Sequence, residues 1–180
     1  MKKLLTALFV FIGLTTYGQT TINPDTVCVN SIAEQYFVTN TVTSTYQWNV
    51  TGGGGAIQTG QGTNSITVDW GGVSGLYPNA IEVIESNASG CPGTPVLLDV
   101  YILDLSGNAI GPFCPGDPSS TLSGTPVGGT WSGTGVVGND FDPSIAGVGN
   151  YVLTYTLAGC QTTINVTVNN GPVTGPIQHY

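Results

Sequence analysis

Short runs in which apolar and polar residues alternate are the main pattern along this chain. In residues 64–70, Ile66, Val68 and Trp70 fall on one side of an extended backbone, while Thr67 and Asp69 fall on the other. No window of a dozen residues shows apolar residues at the 3.6-residue helical period. The pattern therefore predicts strands almost throughout. They are residues 26–30, 35–40, 44–50, 56–59, 64–70, 79–85 and 96–103 in the first half, and 120–123, 129–132, 151–157 and 161–168 in the second.

Clusters of Gly and Pro separate these runs, with a turn every 8 to 12 residues. Many short strands at this spacing are typical of a β-sandwich, so the predicted fold class is all-β, with two tandem sandwiches. We place the first domain at residues 19–103 and a smaller second domain at residues 104–168, almost without a linker. Residues 169–180 contain two Pro and two Gly and are predicted to form an extended tail.

The first residues have the features of an export signal. Lys2 and Lys3 precede the apolar run 4–14, and Thr16 and Gly18 are small residues at −3 and −1 of a cleavage site after Gly18. We predict a signal peptide over residues 1–18; the alternative is an uncleaved membrane anchor. The remainder has no second apolar stretch of membrane-spanning length, so we expect an exported protein, in the periplasm or at the cell surface, without a transmembrane span.

Charge narrows the classes of function. Lys2 and Lys3 are the only basic residues, so removing the signal leaves ten carboxylates and no Lys or Arg. Nucleic-acid binding depends on Lys and Arg at phosphates and is excluded as a function. Charged partners of such a polyanion would be cations such as Ca²⁺ or basic protein surfaces.

Four cysteines allow three pairings. They are Cys28, Cys91, Cys114 and Cys160, and no pair has the CxxC spacing of a zinc or thioredoxin-type site. An exported protein meets an oxidising environment, in which disulfides persist. We expect one disulfide in each half, Cys28–Cys91 and Cys114–Cys160.

Several motifs carry a family resemblance. Residues 46–53 (YQWNVTGG) resemble the core of PKD domains, which are immunoglobulin-like sandwiches of cell-surface proteins. Residues 60–71 (GQGTNSITVDWG) and 89–93 (SGCPG) are similar to the PKD-like variant common in secreted and gliding-associated proteins of Bacteroidota. Residues 122–133 (LSGTPVGGTWSG) and 146–151 (AGVGNY) resemble an immunoglobulin-like repeat of the same large surface proteins.

The leading hypothesis is a protein without catalytic activity. The resemblance implies a setting at the cell envelope or cell surface, so we expect an exported structural or adhesion module that acts through contacts with envelope proteins, surface proteins or glycans. One alternative is a carbohydrate-binding module. Another is an accessory subunit of the type IX secretion or gliding machinery, with residues 169–180 as its docking tail. The acidic turn that often follows the PKD tryptophan is replaced here by residues 51–55 (TGGGG), a hairpin tip without the lysine of a phosphate loop.

Acid–base groups are scarce. His179 is the only histidine and lies in the tail, so no Ser-His-Asp or Cys-His arrangement can be built without it, and we assign no catalytic residue. Glu82 and Glu85 would lie on opposite faces of a strand, which argues against a glycosidase pair. No cofactor is expected, with Ca²⁺ as the one candidate. Asp140 and Asp142 lie on one side of an extended segment and could ligate it, although turn capping before Pro143 is the simpler interpretation.

The tryptophans and one threonine are the last candidate site residues. We expect Trp48 to be buried in the first sandwich near its disulfide. Trp70 and Trp131 lie beside glycines at strand ends, so partly exposed rings there could stack on sugars. Asp25-Thr26-Val27 resembles the O-glycosylation acceptor of Bacteroidota, which makes Thr26 a candidate glycan site.

Overall fold

The structure is a computed structural model that describes residues 24–172 and 175–179. The predicted signal peptide, residues 1–18, lies outside the described residues. The first half contains β1 (Asp25–Cys28), β2 (Glu34–Phe37), β3 (Thr45–Val50), β4 (Ala56–Thr59), β5 (Ser65–Asp69), β6 (Gly75–Ser86) and β7 (Val96–Leu103). The second half contains β8 (Ser106–Gly107), β9 (Ser120–Thr121), β10 (Gly124–Thr125), β11 (Thr130–Ser132), β12 (Val136–Val137), β13 (Asp140–Phe141), the helix α1 (Pro143–Ala146), β14 (Gly149–Leu157) and β15 (Cys160–Val168).

Two sheets of the first half pack face to face. One has the strand order β1-β7-β6-β3 and the other the order β2-β5-β4. Ile66, Val68 and Trp70 are buried, whereas Thr67 and Asp69 between them are not. This two-residue period is what a strand with one face on a core produces. The buried residues that share this first core are Val27, Tyr36, Tyr46, Trp48, Ile66, Val68, Trp70, Ala80, Ile81, Val83, Val100 and Ile102.

The second half is built around a long hairpin. Strands β14 and β15 pair without a register shift from Gly149↔Val168 to Leu157↔Cys160, and β11 pairs with the other edge of β14. A smaller sheet has the order β12-β13-β9, and β8 pairs with β10. The second core consists of Leu103, Leu105, Leu122, Trp131, Phe141, Leu153, Tyr155, Cys160, Ile164, Val166 and Val168.

Strands β1 and β7 contribute to both cores. They run parallel, with Val27 opposite Ile102 and Cys28 opposite Leu103. Val27 and Ile102 belong to the first core, while Cys28 and Leu103 pack in the second. Successive side chains of a strand point to opposite faces, so a strand covered on both faces reads as a continuous apolar run, as residues 100–103 (VYIL) do. The two cores therefore share the β1–β7 pair as a common wall.

Two glycines let the Tyr155 ring fit in the second core. A Cβ atom at Gly124 would lie 2.3 Å from that ring, and one at Gly129 would lie 2.5 Å from it. The Tyr155 hydroxyl donates to the Pro126 carbonyl at 2.6 Å and accepts from the Gly129 N–H at 2.8 Å. The ring thus ties the loop before β11 to the hairpin.

The observed strands confirm the predicted all-β, immunoglobulin-like class, and the long predicted strands agree with the observed ones to within a few residues. The division into two tandem domains stays a prediction. Strands β8, β10, β12 and β13 were not predicted, because two residues are too few to show alternation, and α1 was not predicted, because its four residues span barely one helical turn. No helix in the described ranges 24–172 and 175–179 is long and apolar enough to cross a membrane.

Candidate functional site

The disulfide joins the two halves of the chain. Cys28 pairs with Cys160 across 132 residues, with a Cα–Cα distance of 5.5 Å, and Cys91 and Cys114 are exposed free thiols. The expected pairs Cys28–Cys91 and Cys114–Cys160 are therefore wrong. The reason is the shared wall: Cys28 lies on the face of β1 that points away from the first core and toward Cys160 at the start of β15. A cross-link here holds the two cores together instead of stabilising each one separately.

The expected exposure of Trp70 and Trp131 is also wrong. Their side chains are only 4% and 7% exposed. Trp70 donates from Nε1 to the Tyr36 hydroxyl at 3.1 Å, and the Trp131 ring packs on Tyr155 at a centroid distance of 5.1 Å. Neither ring offers a free face for stacking on a sugar.

Glycines distant in sequence explain this burial. A Cβ atom at Gly55 would lie 2.7 Å from the Trp70 ring, and one at Gly107 would lie 2.6 Å from the Trp131 ring. The glycines adjacent in sequence to each tryptophan indicate open strand ends. The glycines that contact the rings come from other segments of the chain.

Trp48 is buried as predicted, although the pair Cys28–Cys91 expected near it does not form. Its Nε1 donates to the Thr63 carbonyl at 2.8 Å. Its backbone pairs with the Gln61 side chain: the Trp48 N–H donates to Gln61 Oε1 at 2.9 Å, and Gln61 Nε2 donates to the Trp48 carbonyl at 2.8 Å. The amide thus replaces a neighbouring strand at the edge of β3 and satisfies two backbone groups.

Asp140 and Asp142 have separate structural partners. Asp140 accepts from the Thr121 hydroxyl at 2.7 Å, across the β13–β9 pair. Asp142 is the N-cap of α1 and accepts from the N–H and hydroxyl of Ser144 and from the Ile145 N–H. These hydrogen bonds lower the pKa of Asp142. Asp142 therefore has the capping role that was the simpler interpretation of the sequence. Ca²⁺ binding by the two carboxylates stays a prediction.

A hydrogen-bond chain that was not predicted from the sequence runs from the buried Trp70 through Tyr36 to the exposed Asp25. The Tyr36 hydroxyl, which accepts from Trp70, donates to Asp25 Oδ2 at 3.0 Å. Burial raises the pKa of Tyr36 above its ordinary value, and the charge of Asp25 raises it further. Burial also raises the pKa of the half-buried Glu34, again with a contribution from Asp25. Tyr36 therefore stays protonated as a donor, which suits a structural role better than a basic one.

The remaining candidates lie apart from one another. Thr26 is exposed on β1, so its hydroxyl is accessible, and its glycosylation stays a prediction. His179 is exposed in the tail. Within residues 24–172 and 175–179, no group of three His, Cys, Asp or Glu side chains is placed to hold a metal ion.

A small open cavity of about 190 Å³ lies beside Trp131 and Tyr155. Leu122 and Val127 supply apolar lining, and Ser123 and Asn139 supply polar groups. None of its lining residues is acidic or basic. The cavity is smaller than the roughly 300 Å³ at which pockets for small-molecule ligands begin, and it holds no acid–base pair.

The outer face of the sheet β11-β14-β15 bears no charge. Opposite the buried Leu153, Tyr155 and Val166, ten side chains point outward. We call them the hydroxyl face; they are Thr130, Ser132, Asn150, Val152, Thr154, Thr156, Gln161, Thr163, Asn165 and Thr167. All except Val152 carry a hydroxyl or amide group, and Thr167 donates to Asn150 across the strands at 2.7 Å. Such a surface is suited to binding a partner through hydrogen bonds and not through charge pairs.

Comparisons with known proteins support a domain type. Residues 15–98 match the sequence profile of a family described as "PKD-like domain". No curated protein matches the chain.

Two solved structures illustrate the structural similarity. One is described as "Drosophila OTK, extracellular domains 3-5", with 12% identity and a TM-score of 0.38 over 86% of this chain. This chain spans 60% of the length of that structure. Another is titled "Anomalous substructure of Titin-A168169", with 16% identity and a TM-score of 0.27 over 83% of this chain and 95% of that one. Since both scores lie below 0.5, the domain type depends on the profile and on the observed sheets: residues 15–98 contain an immunoglobulin-type domain similar to the PKD-like family.

Proposed function

We propose that this protein is an exported, non-enzymatic structural or adhesion module of the cell envelope or cell surface, which acts through contacts with proteins or glycans. The observation that supports this most is the junction of the two cores. A shared wall and the disulfide Cys28–Cys160 hold them in one arrangement. A fixed arrangement suits a part that spaces or presents surfaces, because flexible linkers leave domain orientation undefined.

The chemistry of the described residues supports a role without catalysis. Asp140 and Asp142 accept hydrogen bonds from neighbouring Thr and Ser groups. Tyr36 is held as a donor within the first core. PKD-like and immunoglobulin-like domains generally work as structural or interaction modules, and the profile match over residues 15–98 adds to this argument.

Location can be tested with the two free thiols. The chain beyond Lys3 contains no Lys or Arg, so amine-reactive labels are of little use, but Cys91 and Cys114 are exposed. A membrane-impermeant maleimide added to intact cells is expected to label the protein if it is at the surface. A variant with both Cys91→Ala and Cys114→Ala is the control and should not be labelled. Labelling only after the outer membrane is opened would place the protein in the periplasm, and labelling only after cell lysis would contradict export.

The carbohydrate-binding alternative expected exposed tryptophan rings that stack on sugars, but Trp70 and Trp131 are buried. Contact with glycans would then use other side chains. A glycan array can test this: binding that is lost in a Trp131→Ala variant shown by circular dichroism to be folded, but retained in a folded Val127→Ala control, would restore the alternative.

The accessory-subunit alternative assigns docking to the tail. Ile177 is fully exposed there, so its side chain is accessible to a partner. As a docking tail, residues 169–180 would hold the protein on an envelope partner. Deleting them should then abolish co-purification with that partner, whereas a His179→Ala control should not. Unchanged co-purification after the deletion would refute the docking role.

A further inference from the structure

The hydroxyl face differs from the other large sheet faces in having no carboxylate. The outer side of the β6–β7 pair carries Glu82 and Asp99, opposite the buried Val83 and Val100. The outer side of β5 carries Asp69, and the β12-β13-β9 sheet carries Asp140. Among the described sheets of three or more strands, only β11-β14-β15 presents an outer face without an ionisable side chain.

The hydroxyl face also has regular strand pairing and lies over tightly buried side chains. Strands β14 and β15 pair over nine residues each without a bulge. Beneath them, Leu153, Tyr155 and Val166 are at most 2% exposed. A surface fixed in this way loses little conformational entropy when it is covered.

Charge decides which partner fits. Beyond the predicted signal peptide the chain has ten carboxylates and no Lys or Arg, so two copies repel each other over most of their surface. That repulsion is weakest where the hydroxyl faces meet, because no carboxylate then faces another. Hydroxyl and amide groups both donate and accept hydrogen bonds, so the face is complementary to a copy of itself. Val152, which is 59% exposed beside Asn165, adds apolar contact near the middle.

We propose that the hydroxyl face is a self-association surface, on which a second copy of this chain docks in a two-fold symmetric arrangement. Such a contact is isologous, with the same patch on both copies. The two nine-residue strands and the three residues of β11 cover roughly 340 Å² per copy, which is below the approximately 800 Å² of a standard stable interface. The contact is therefore weak and reversible, and it gains strength where many copies are held close together.

The sign of the salt effect distinguishes this contact from one held by ion pairs. Salt screens the repulsion between two polyanions, so the dimer tightens as ionic strength rises. A contact between opposite charges would weaken instead. The inference deepens the proposed function by naming one partner of the module; a chain that remains monomeric would refute self-association and leave the spacing role intact.

Sedimentation velocity of the protein recovered after export, over a range of concentrations at low and at high salt, is the test. The main variant is Asn165→Asp, which adds a carboxylate to the hydroxyl face with almost no change of shape. Its matched control is Asn87→Asp, which makes the same change in an exposed turn of the first half, where the Asn87 side chain only accepts hydrogen bonds from Ser89 and Cys91. Circular dichroism verifies that both variants fold. If Asn165→Asp does not fold, Thr163→Asp replaces it as the variant of the hydroxyl face.

The expected result is a monomer–dimer equilibrium whose dissociation constant falls severalfold from low to high salt. Asn165→Asp should raise that constant at least about tenfold at low salt, since each dimer then opposes two new like charges, and Asn87→Asp should change it less than about twofold. A monomer at every concentration and salt would overturn the proposal. So would an association that weakens with salt, or one that both variants weaken equally.

Discussion

At the scale of single residues, side chains that looked available for chemistry are engaged in structure. Asp142 caps a helix, Trp70 and Trp131 fill cores, and Tyr36 donates to Asp25. Residue type and spacing predicted that the carboxylates could cap a turn, because an Asp before Pro-Ser is a local signal. Burial of the tryptophans depends on glycines from other segments, which no local pattern reveals.

The capping role of Asp142 predicts a pH dependence. Its hydrogen bonds lower its pKa from the ordinary 3.8 in the folded state, so its contribution is complete above that value and is lost as pH falls through the lower, folded-state pKa. Asn retains a capping oxygen without the charge. We expect Asp142→Asn to lose less stability than wild type on acidification below about pH 4. Thermal melts from pH 7 to pH 2 measure this, and parallel curves for the two proteins would contradict it.

Ionisation of Glu34 should have the opposite effect on stability from ionisation of Asp142. Burial and the charge of Asp25 raise its pKa in the folded state, so ionised Glu34 opposes folding above that pKa, and the cost disappears below the ordinary value of 4.5. Glu34→Gln should therefore stabilise the protein at pH 7, by less than about 1 kcal/mol because solvent screens a half-buried group. The gain should vanish near pH 3. Urea unfolding at both pH values checks it, and Glu82→Gln, on an outer sheet face, is the control.

At the scale of elements, sequence periodicity predicted the long strands well. Strands β3, β5, β14 and β15 each have one buried face, which produces visible alternation. Periodicity could not predict which strands pair. β1 lies parallel to β7, its partner 75 residues later, and the last residues of both strands contribute to the two cores. Pairing depends on the whole topology, and the incorrect disulfide assignment follows from the same gap.

The Gln61 side chain at the edge of β3 should contribute measurably to stability. Gln61 pairs with the backbone N–H and carbonyl of Trp48, both partly buried. Gln61→Ala should cost about 1–3 kcal/mol, because it leaves those two groups without partners. Gln58→Ala, at an exposed position of β4, should cost less than about 0.5 kcal/mol. Chemical denaturation of both variants measures the difference, and equal costs would show that the Gln61 amide does not replace a strand.

At the scale of the whole molecule, the disulfide between the halves is the feature with the largest expected effect. In the chain-entropy model, closing a loop of this length contributes about 4–5 kcal/mol. Cys28→Ala should lose most of that, whereas Cys91→Ala, an exposed free thiol, should change stability by less than about 0.5 kcal/mol. Urea unfolding under non-reducing conditions compares the two, and similar losses in both variants would argue against the assigned pair.

One disulfide joins the two cores into a single rigid module. The decisive test is mass spectrometric mapping of the unreduced, alkylated protein. Chymotrypsin is the suitable protease, since the chain has no Lys or Arg beyond Lys3 for trypsin to cleave. We expect a cross-linked peptide pair that contains Cys28 and Cys160, with Cys91 and Cys114 alkylated. Peptides that link Cys28 to Cys91 and Cys114 to Cys160 would contradict it.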